Sequence, residues 1–357
     1  MNNYNVNRLD LLPVESEENR PLWSVMIPTY NCAHYLRETL KNLLAQASEL
    51  ELMQIEVIDD CSTKDDPSAI VAELGQGKVC FYRQPRNVGY IRNFETCLQR
   101  SRGHLIHILH GDDYVRDGFY QKMELAFVQK PEVGAAFCRS IYVDELGHWQ
   151  SISPLENSTS GILSNWLPTI ASGQRLTTPS IVVKREVYEQ LGGFDRRFSC
   201  AGEDWEMWVR IATQYSVWFE TEPLAAYRVK RLGSLTADSE ASGKLVKDMC
   251  LATEIIASYL PQYLDSALAN QIIDRAKNTY AQWGIDATRQ MLIHGKIKDA
   301  IFQSQEVLRR CNSWQISYSL FVLWLQKFWR WIFSLPRKAS KQIKAIGSEN
   351  LNSNSVE

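Results

Sequence analysis

Three pairs of adjacent acids could do chemistry in this chain: Asp59-Asp60, Asp112-Asp113 and Glu203-Asp204. The second pair follows His104-Leu-Ile-His-Ile-Leu-His-Gly111, whose apolar positions Leu105, Ile106, Ile108 and Leu109 read as a buried strand of a central sheet. Ligands of open α/β sheets gather at the carboxyl ends of strands. Carboxylates there can hold a hard divalent cation such as Mg2+ or Mn2+, which shares its remaining positions with substrate phosphates. On that reading Asp112 and Asp113 pin a diphosphate through a metal. The bland reading is a turn, because turns recruit Asp freely. Glu203 and Asp204 open a helix, where acids also sit favourably without doing any chemistry.

The elements that must position these acids can be read from the apolar pattern. Trp23-Ser-Val-Met-Ile-Pro28 is a short strand stopped by proline, Thr29-Tyr30-Asn31 is the turn after it, and a helix is expected from Ala33 to Ala47. Gln54–Asp59 is a second strand, and Asp65-Asp66-Pro67 starts a helix with proline in its first turn. Val79–Arg83 is a third strand, and a helix over Val88–Arg100 leads into the fourth. This βαβαβαβ series predicts a doubly wound sheet with right-handed crossovers. It turns Thr29-Tyr30-Asn31, Asp59-Asp60 and Asp112-Asp113 towards one pocket. Further on, Gly118–Lys130 and Gly202–Thr213 read as helices and Gly134–Val143 and Ser180–Lys184 as strands. Val217–Glu220 and Leu224–Val229 read as two closing strands, and residues 144–180 as an irregular loop of the length that often carries function.

Composition narrows the classes. With 357 residues and 45% hydrophobic content the chain can bury a large core. A formal charge of −2 argues against a general nucleic-acid binder. The eight cysteines form no CxxC pair and have no histidine at zinc-finger spacing, so thiols in a reducing compartment are expected. Residues 1–20 lack the cationic and apolar segments of a secretory signal, which points to the cytoplasm. Neither GxGxxG after the first strand nor GxxxxGK[ST] is present, so a nucleotide would be held in another way.

Taken in order, Ser24-Val-Met-Ile-Pro-Thr-Tyr-Asn31, Glu56-Val-Ile-Asp-Asp-Cys-Ser62, Asn87-Val-Gly-Tyr-Ile-Arg-Asn93, His110-Gly-Asp-Asp113 and Gly202-Glu-Asp-Trp205 resemble the family 2 glycosyltransferases. The resemblance covers about residues 22–235. It implies a GT-A fold, a doubly wound mixed sheet with a Rossmann-like nucleotide-binding half and an acceptor half. It also implies inverting transfer of a sugar from a nucleotide-diphosphate donor. Carried over residue by residue, Pro28, Thr29, Tyr30, Asn31, Asp59, Asp60, Arg92 and Asp112 match nucleotide-binding positions. Asp113, with Asp112, matches the metal site for Mn2+ or Mg2+. Asp204 matches the general base, with Glu203 beside it. Ser180, Arg228 and Lys230 match positions that approach the diphosphate or the acceptor, and Gly192-Gly193-Phe194-Asp195 resembles a segment near the sugars. His110 departs from the pattern, standing where many relatives carry the first Asp of the metal motif. A nucleotidylyltransferase would need a Gly-rich basic loop after the first strand, which Pro28-Thr-Tyr-Asn31 is not. The remaining alternative is a non-catalytic nucleotide-sugar-binding or scaffold protein of polysaccharide assembly.

The chain is expected to divide into a flexible arm (1–21), the GT-A domain (22–235), a helical region (240–312), a Trp-rich basic amphipathic helix (313–346) and a flexible tail (347–357). Ile316–Leu335 carries three tryptophans with only Lys327 and Arg330 charged, and Arg337, Lys338, Lys341 and Lys344 follow. Two cations in the second half weaken a membrane span of about 20 residues. An interfacial helix with a basic flank fits better. The expected partners are therefore a nucleotide-sugar donor, a glycan or lipid-linked acceptor, and a membrane surface met through residues 316–344 at the inner face.

Overall fold

The computed structural model describes residues 7–17, 19–46, 53–229, 239, 244–311 and 313–329. Four parallel strands build the first half: β1 (Trp23–Thr29), β2 (Met53–Asp59), β3 (Val79–Arg83) and β4 (Leu105–Ile108). All seven residues of β1 are buried, as a strand covered on both faces requires. Between them run α1 (Ala33–Gln46), α2 (Pro67–Leu74) and α3 (Tyr90–Arg100). The α1 helix buries Ala33, Leu36, Leu40 and Leu43 at helical spacing. Asp66 caps α2 by accepting the Ser68 N–H, and Pro67 occupies the first turn, where its missing donor costs nothing.

After β4 come β5 (Tyr114–Val115), α4 (Phe119–Gln129), β6 (Val133–Val143), β7 (Trp149–Ile152), β8 (Gly161–Ile162) and α5 (Trp166–Ala171). They are followed by β9 (Ile181–Lys184), α6 (Arg185–Leu191), α7 (Glu203–Ala212) and β10 (Ser216–Arg228). The sheet order is β3-β2-β1-β4-β9-β6-β10-β5, with β9 antiparallel to both β4 and β6, so the doubly wound sheet is mixed as expected. The two closing strands expected from the sequence are a single strand, β10, whose register shifts between Glu220 and Pro223. Proline cannot donate to the ladder, and the strand passes it as an irregularity. The segment 144–180 contains β7, β8 and α5 where only loop was expected. All four residues of β7 are exposed, so no buried face marks it in the sequence.

The N-terminal segment is not a loose arm where it is described. The N–H groups of Gly193 and Arg196 donate to the carbonyls of Leu9 and Asn7, and Leu9 and Leu11 are buried. The Arg8 guanidinium donates to Glu206 at 2.9 Å. Breaking a buried pair of this kind costs about 3–5 kcal/mol. The turn at Gly192-Gly193-Phe194-Asp195, expected near the sugars, thus receives the N-terminal segment.

Two compact units divide at Ala276/Lys277, inside the helix Ser266–Ile293 and not near residue 235. The helix Lys244–Tyr259 belongs to the first unit because its Asp248 carboxylate accepts the N–H groups of Ser199 and Cys200 at 2.6 and 2.7 Å. In the second unit, Ile297–Arg310 and residues 314–329 are helical. Lys230, residues 330–346 of the expected basic helix and the tail 347–357 lie outside the described residues. Among the described residues no helix is long and apolar enough to cross a membrane. None of the eight cysteines is in a disulfide.

Candidate active site

The ends of β1, β2 and β4 and the start of α7 converge on the three acid pairs. A Cβ on Gly111 would lie 2.4 Å from Thr29 Cγ2 and 3.1 Å from Cys32 Sγ. Only glycine lets the turn after β4 pass so near the end of β1, and the Gly111 N–H donates to Pro28 O at 3.0 Å. That approach fixes His110, Asp112 and Asp113, each of which offers a ligand atom within 4.8 Å of the others.

Asp113 is buried. Its Oδ1 accepts the Arg228 N–H at 2.8 Å, while Oδ2 has no hydrogen-bond partner among the described residues. His110 Nδ1 lies 3.3 Å from that oxygen, but out of line for a hydrogen bond, and His110 Nε2 is likewise buried without a partner. Orphaned polar atoms of this sort are costly to bury and demand an explanation. With one ligand atom each from His110, Asp112 and Asp113 within 4.8 Å of one another, the cluster could hold a divalent cation, and its mixed oxygen and nitrogen set suits Mn2+ better than Mg2+. Burial pushes the Asp113 carboxyl above the ordinary carboxylate range. Burial also works against a charge on His110, but Asp113, Asp112 and Glu203 together more than reverse this and hold its pKa above the usual value.

From His110 a chain of contacts leads to the third acid pair. The imidazole stacks on Phe94 with ring centroids 5.4 Å apart, Tyr90 packs edge-on to Phe94 at 5.6 Å, and the Tyr90 hydroxyl donates to Glu203 Oε2 at 3.1 Å. Gly202, at φ +84°, turns the chain into α7 and places Glu203 and Asp204 in its first turn. Asp204 Oδ2 accepts Gln174 Nε2 at 2.6 Å and lies 3.5 Å from Thr178 Oγ1, while Oδ1 accepts the Trp205 N–H at 2.7 Å. Burial and the adjacent Asp204 push the Glu203 carboxyl up to about 8. Burial raises Asp204 as well, against the pull of the Trp205 N–H and His110. Burial thus disfavours the charged form of both neighbouring carboxyls, most of all Glu203.

The first acid pair is different. Asp59 Oδ2 accepts Arg83 Nε at 2.7 Å, and the Ser62 N–H approaches both of its oxygens at 3.2 Å. Asp60 uses its two oxygens on the N–H groups of Val88 and Gly89, at 2.7 and 3.0 Å. Burial pushes the Asp60 carboxyl up, and those bonds only partly offset it. Both aspartates therefore shape the loops that lead into α2 and α3. Asn31 does similar work, its Oδ1 accepting the N–H groups of Thr63 and Lys64 at 2.9 and 3.0 Å. Thr29 is buried at the end of β1, whereas the Tyr30 ring is exposed beside it. Arg92 leaves α3 half exposed and pairs with Glu95 at 2.9 Å.

Two expected contacts point elsewhere. The buried guanidinium of Arg228 lies over the Tyr35 ring and donates to the carbonyls of Asp112, Asp144 and Glu145 and to Glu38 Oε2. Its hydrogen bonds hold the backbone of the turn that carries Asp112 and tie it to residues 144 and 145. The Ser180 hydroxyl is buried and donates to Thr177 O at 2.7 Å. Within Thr178-Pro179-Ser180 it is Thr178 that reaches Asp204. Gln174 was not anticipated; Thr178 lies in the Thr178-Pro179-Ser180 segment that resembles one near the sugars, and Tyr90 in the Asn87–Asn93 motif, with no role expected of it. Gln174 meets Asp204 through folding alone, and no local spacing marks it. A cleft of about 470 Å3 beside Arg20, His104, Glu124 and Lys184 lies at the start of β4 and contains none of these groups.

The model of Glycosyl transferase family 2 matches residues 24–192. An uncharacterized protein of Mycobacterium tuberculosis is 35% identical over 133 residues, which are 37% of this chain and 40% of that protein. The chain thus spans about two fifths of the length of this relative. Among solved structures, Staphylococcus aureus TarS 1-349 in complex with UDP-GlcNAc superposes with a TM-score of 0.57 at 16% identity, over 80% of this chain and 90% of the TarS 1-349 chain. Mannosyltransferase PcManGT from Pyrobaculum calidifontis, in complex with GDP-Man and Mn2+, gives a TM-score of 0.53 at 16% identity, over 90% of each chain. At such identities the likeness is one of fold.

Proposed function

Residues 24–192 belong to Glycosyl transferase family 2, and from that premise we propose that the protein is an inverting glycosyltransferase. It moves a sugar from a UDP-, dTDP- or GDP-sugar to a hydroxyl of a glycan or lipid-linked acceptor. The observation that carries this reading is the line of contacts from Asp113 through His110, Phe94 and Tyr90 to Glu203 and Asp204. It sets a cation site at a strand end beside a buried acid pair at a helix start, as attack on an anomeric carbon requires.

In the reaction the acceptor oxygen forms a bond to the anomeric carbon from the face opposite the leaving group. The bond from that carbon to the diphosphate oxygen breaks, and its electron pair departs with the nucleotide. Asp204, oriented by Gln174 and the Trp205 N–H, takes the hydroxyl proton as a general base. Glu203 keeps its proton at neutral pH and leaves the charge on Asp204. Asp112 and Asp113, with His110 in reach, would hold a divalent cation whose chemistry is Lewis-acid stabilisation of the leaving diphosphate. Thr29, Tyr30 and Asp60 border the side where the nucleoside would lie, with the Asp60 carboxylate setting the loop of Val88 and Gly89.

The test begins with calorimetric titration of UDP, GDP, dTDP and CMP nucleotides and their sugars, with and without Mn2+. One diphosphate series should bind, and only with metal. Asp204→Asn should then bind that donor as the wild type does while transfer falls about 10²–10⁴-fold, the range of general-base contributions. Transfer that survives the substitution would remove Asp204 from the role. Donor binding with no transfer to any acceptor, in wild type and variant alike, would favour the non-catalytic alternative.

A further inference from the structure

We propose that the helix over residues 314–329 seats the protein on an anionic lipid surface, through a stripe formed by Trp314, Tyr318, Phe321 and Leu325. The helix has two unlike faces. Ile316, Leu320 and Leu323 are buried. On that side Trp324 Nε1 donates to Ser304 Oγ at 3.0 Å and Lys327 Nζ to Leu292 O at 2.7 Å, which fixes the helix against its neighbours in the second unit. The other face is apolar and open. Trp314, Tyr318, Phe321 and Leu325 are 75, 61, 62 and 41% exposed. At about 100° per residue their spacing of four, three and four keeps all of them within one narrow stripe. The exposed residues flanking the stripe, Gln315, Ser317 and Gln326, are polar and uncharged.

Large apolar side chains lined up on a surface mark an interaction site. Their chemistry and their surroundings select the occupant. Trp and Tyr are the residues enriched at the boundary of water and lipid, where the ring is buried and its polar edge stays wet. Between Glu306 and Glu349 the sequence has no acid and eight Lys or Arg residues. A helix with an aromatic face inside so cationic a stretch is drawn to anionic headgroups while its rings enter the acyl boundary. A second copy of the chain would bring an equally cationic stretch to the contact, and like charges facing each other oppose that pairing. No helix among the described residues is long and apolar enough to span, so the contact is one of lying on the surface. The inference does not depend on the catalytic reading.

The experiment uses the full chain with vesicles of phosphatidylcholine alone or mixed with phosphatidylglycerol, followed by sedimentation. The wild type should sediment with the anionic vesicles and at least ten times more weakly with the neutral ones, and high salt should release part of it. Trp314→Ser, Phe321→Ser and Leu325→Ser combined change only exposed positions. This variant should keep the wild-type circular dichroism and melting temperature and bind anionic vesicles at least tenfold more weakly. Equal binding by wild type and variant would overturn the proposal, as would no binding by a folded wild type. A wild-type dimer that the variant loses, without vesicle binding, would give the face to a second copy and also overturn it.

Discussion

Asp59-Asp60 and Asp112-Asp113 are the same dipeptide at the same kind of place, the carboxyl end of a parallel strand, yet the fold uses them in opposite ways. The first pair is satisfied by its own chain. Asp59 has Arg83 and Ser62, and Asp60 has the N–H groups of Val88 and Gly89. In the second pair, Asp113 gives one oxygen to the Arg228 N–H and buries the other with only His110 Nδ1 near it, at 3.3 Å, and no hydrogen-bond partner among the described residues. A buried acceptor left unsatisfied costs about 1–3 kcal/mol, more when charged. The fold carries that cost at β4 and avoids it at β2. The difference separates a pair whose oxygens are taken up by its own loops from a pair that keeps an oxygen without a hydrogen bond, and the two residue types alone could not have told them apart.

The largest effect should come from breaking the second pair. Asp113→Asn keeps the oxygen that accepts from Arg228 and removes the charge that faces His110. Metal-dependent donor affinity should fall at least about 100-fold, in line with the several kcal/mol a cation contributes at a developing charge. Urea unfolding should meanwhile change by less than about 1 kcal/mol, because the lost attraction to His110 is offset by the relief of no longer burying a carboxylate. The first pair should respond the other way round. Asp60→Ala leaves two half-buried N–H groups without their acceptor and should cost about 1–3 kcal/mol in the same unfolding experiment. If the two substitutions destabilise the protein equally, the distinction between the pairs is wrong.

Much of the fold was legible because the parallel half is written in apolar runs. Strands covered on both faces, such as β1 with its seven buried residues, leave no doubt about their place. The rest was hidden for physical reasons. The strand β7 is exposed throughout and is held by backbone pairing to β6. The polar N-terminal segment looks loose until Arg8 meets Glu206, 198 positions away. Arg228 sits where a basic residue could reach a diphosphate, but the direction of a guanidinium is decided by Glu38 and the carbonyls of 112, 144 and 145, which come from three separate stretches. Gln174 comes from a stretch with no regular pattern, and only folding brings it to Asp204.

The third pair, Glu203-Asp204, lies between these extremes, because its members are hydrogen-bonded and burial still raises both carboxyls. The unfolded chain releases the Glu203 proton near pH 4.5, whereas the folded protein keeps it up to about 8. Through that interval the folded state binds more protons than the unfolded one, so this group's contribution to stability is complete below pH 4.5 and is lost as the pH rises towards 8. Glu203→Gln, which is neutral at every pH, should melt close to the wild type at pH 5 and above it at pH 8. Relaxation and water around the ionising group damp the effect, so the gap should be a few degrees, the smallest of the three. Melting curves of both proteins from pH 5 to 8 measure it directly. A wild type that gains on the variant with rising pH would mean that Glu203 is already ionised in the folded protein. Asp204 would then hold the proton, and the two residues would exchange roles in the reaction.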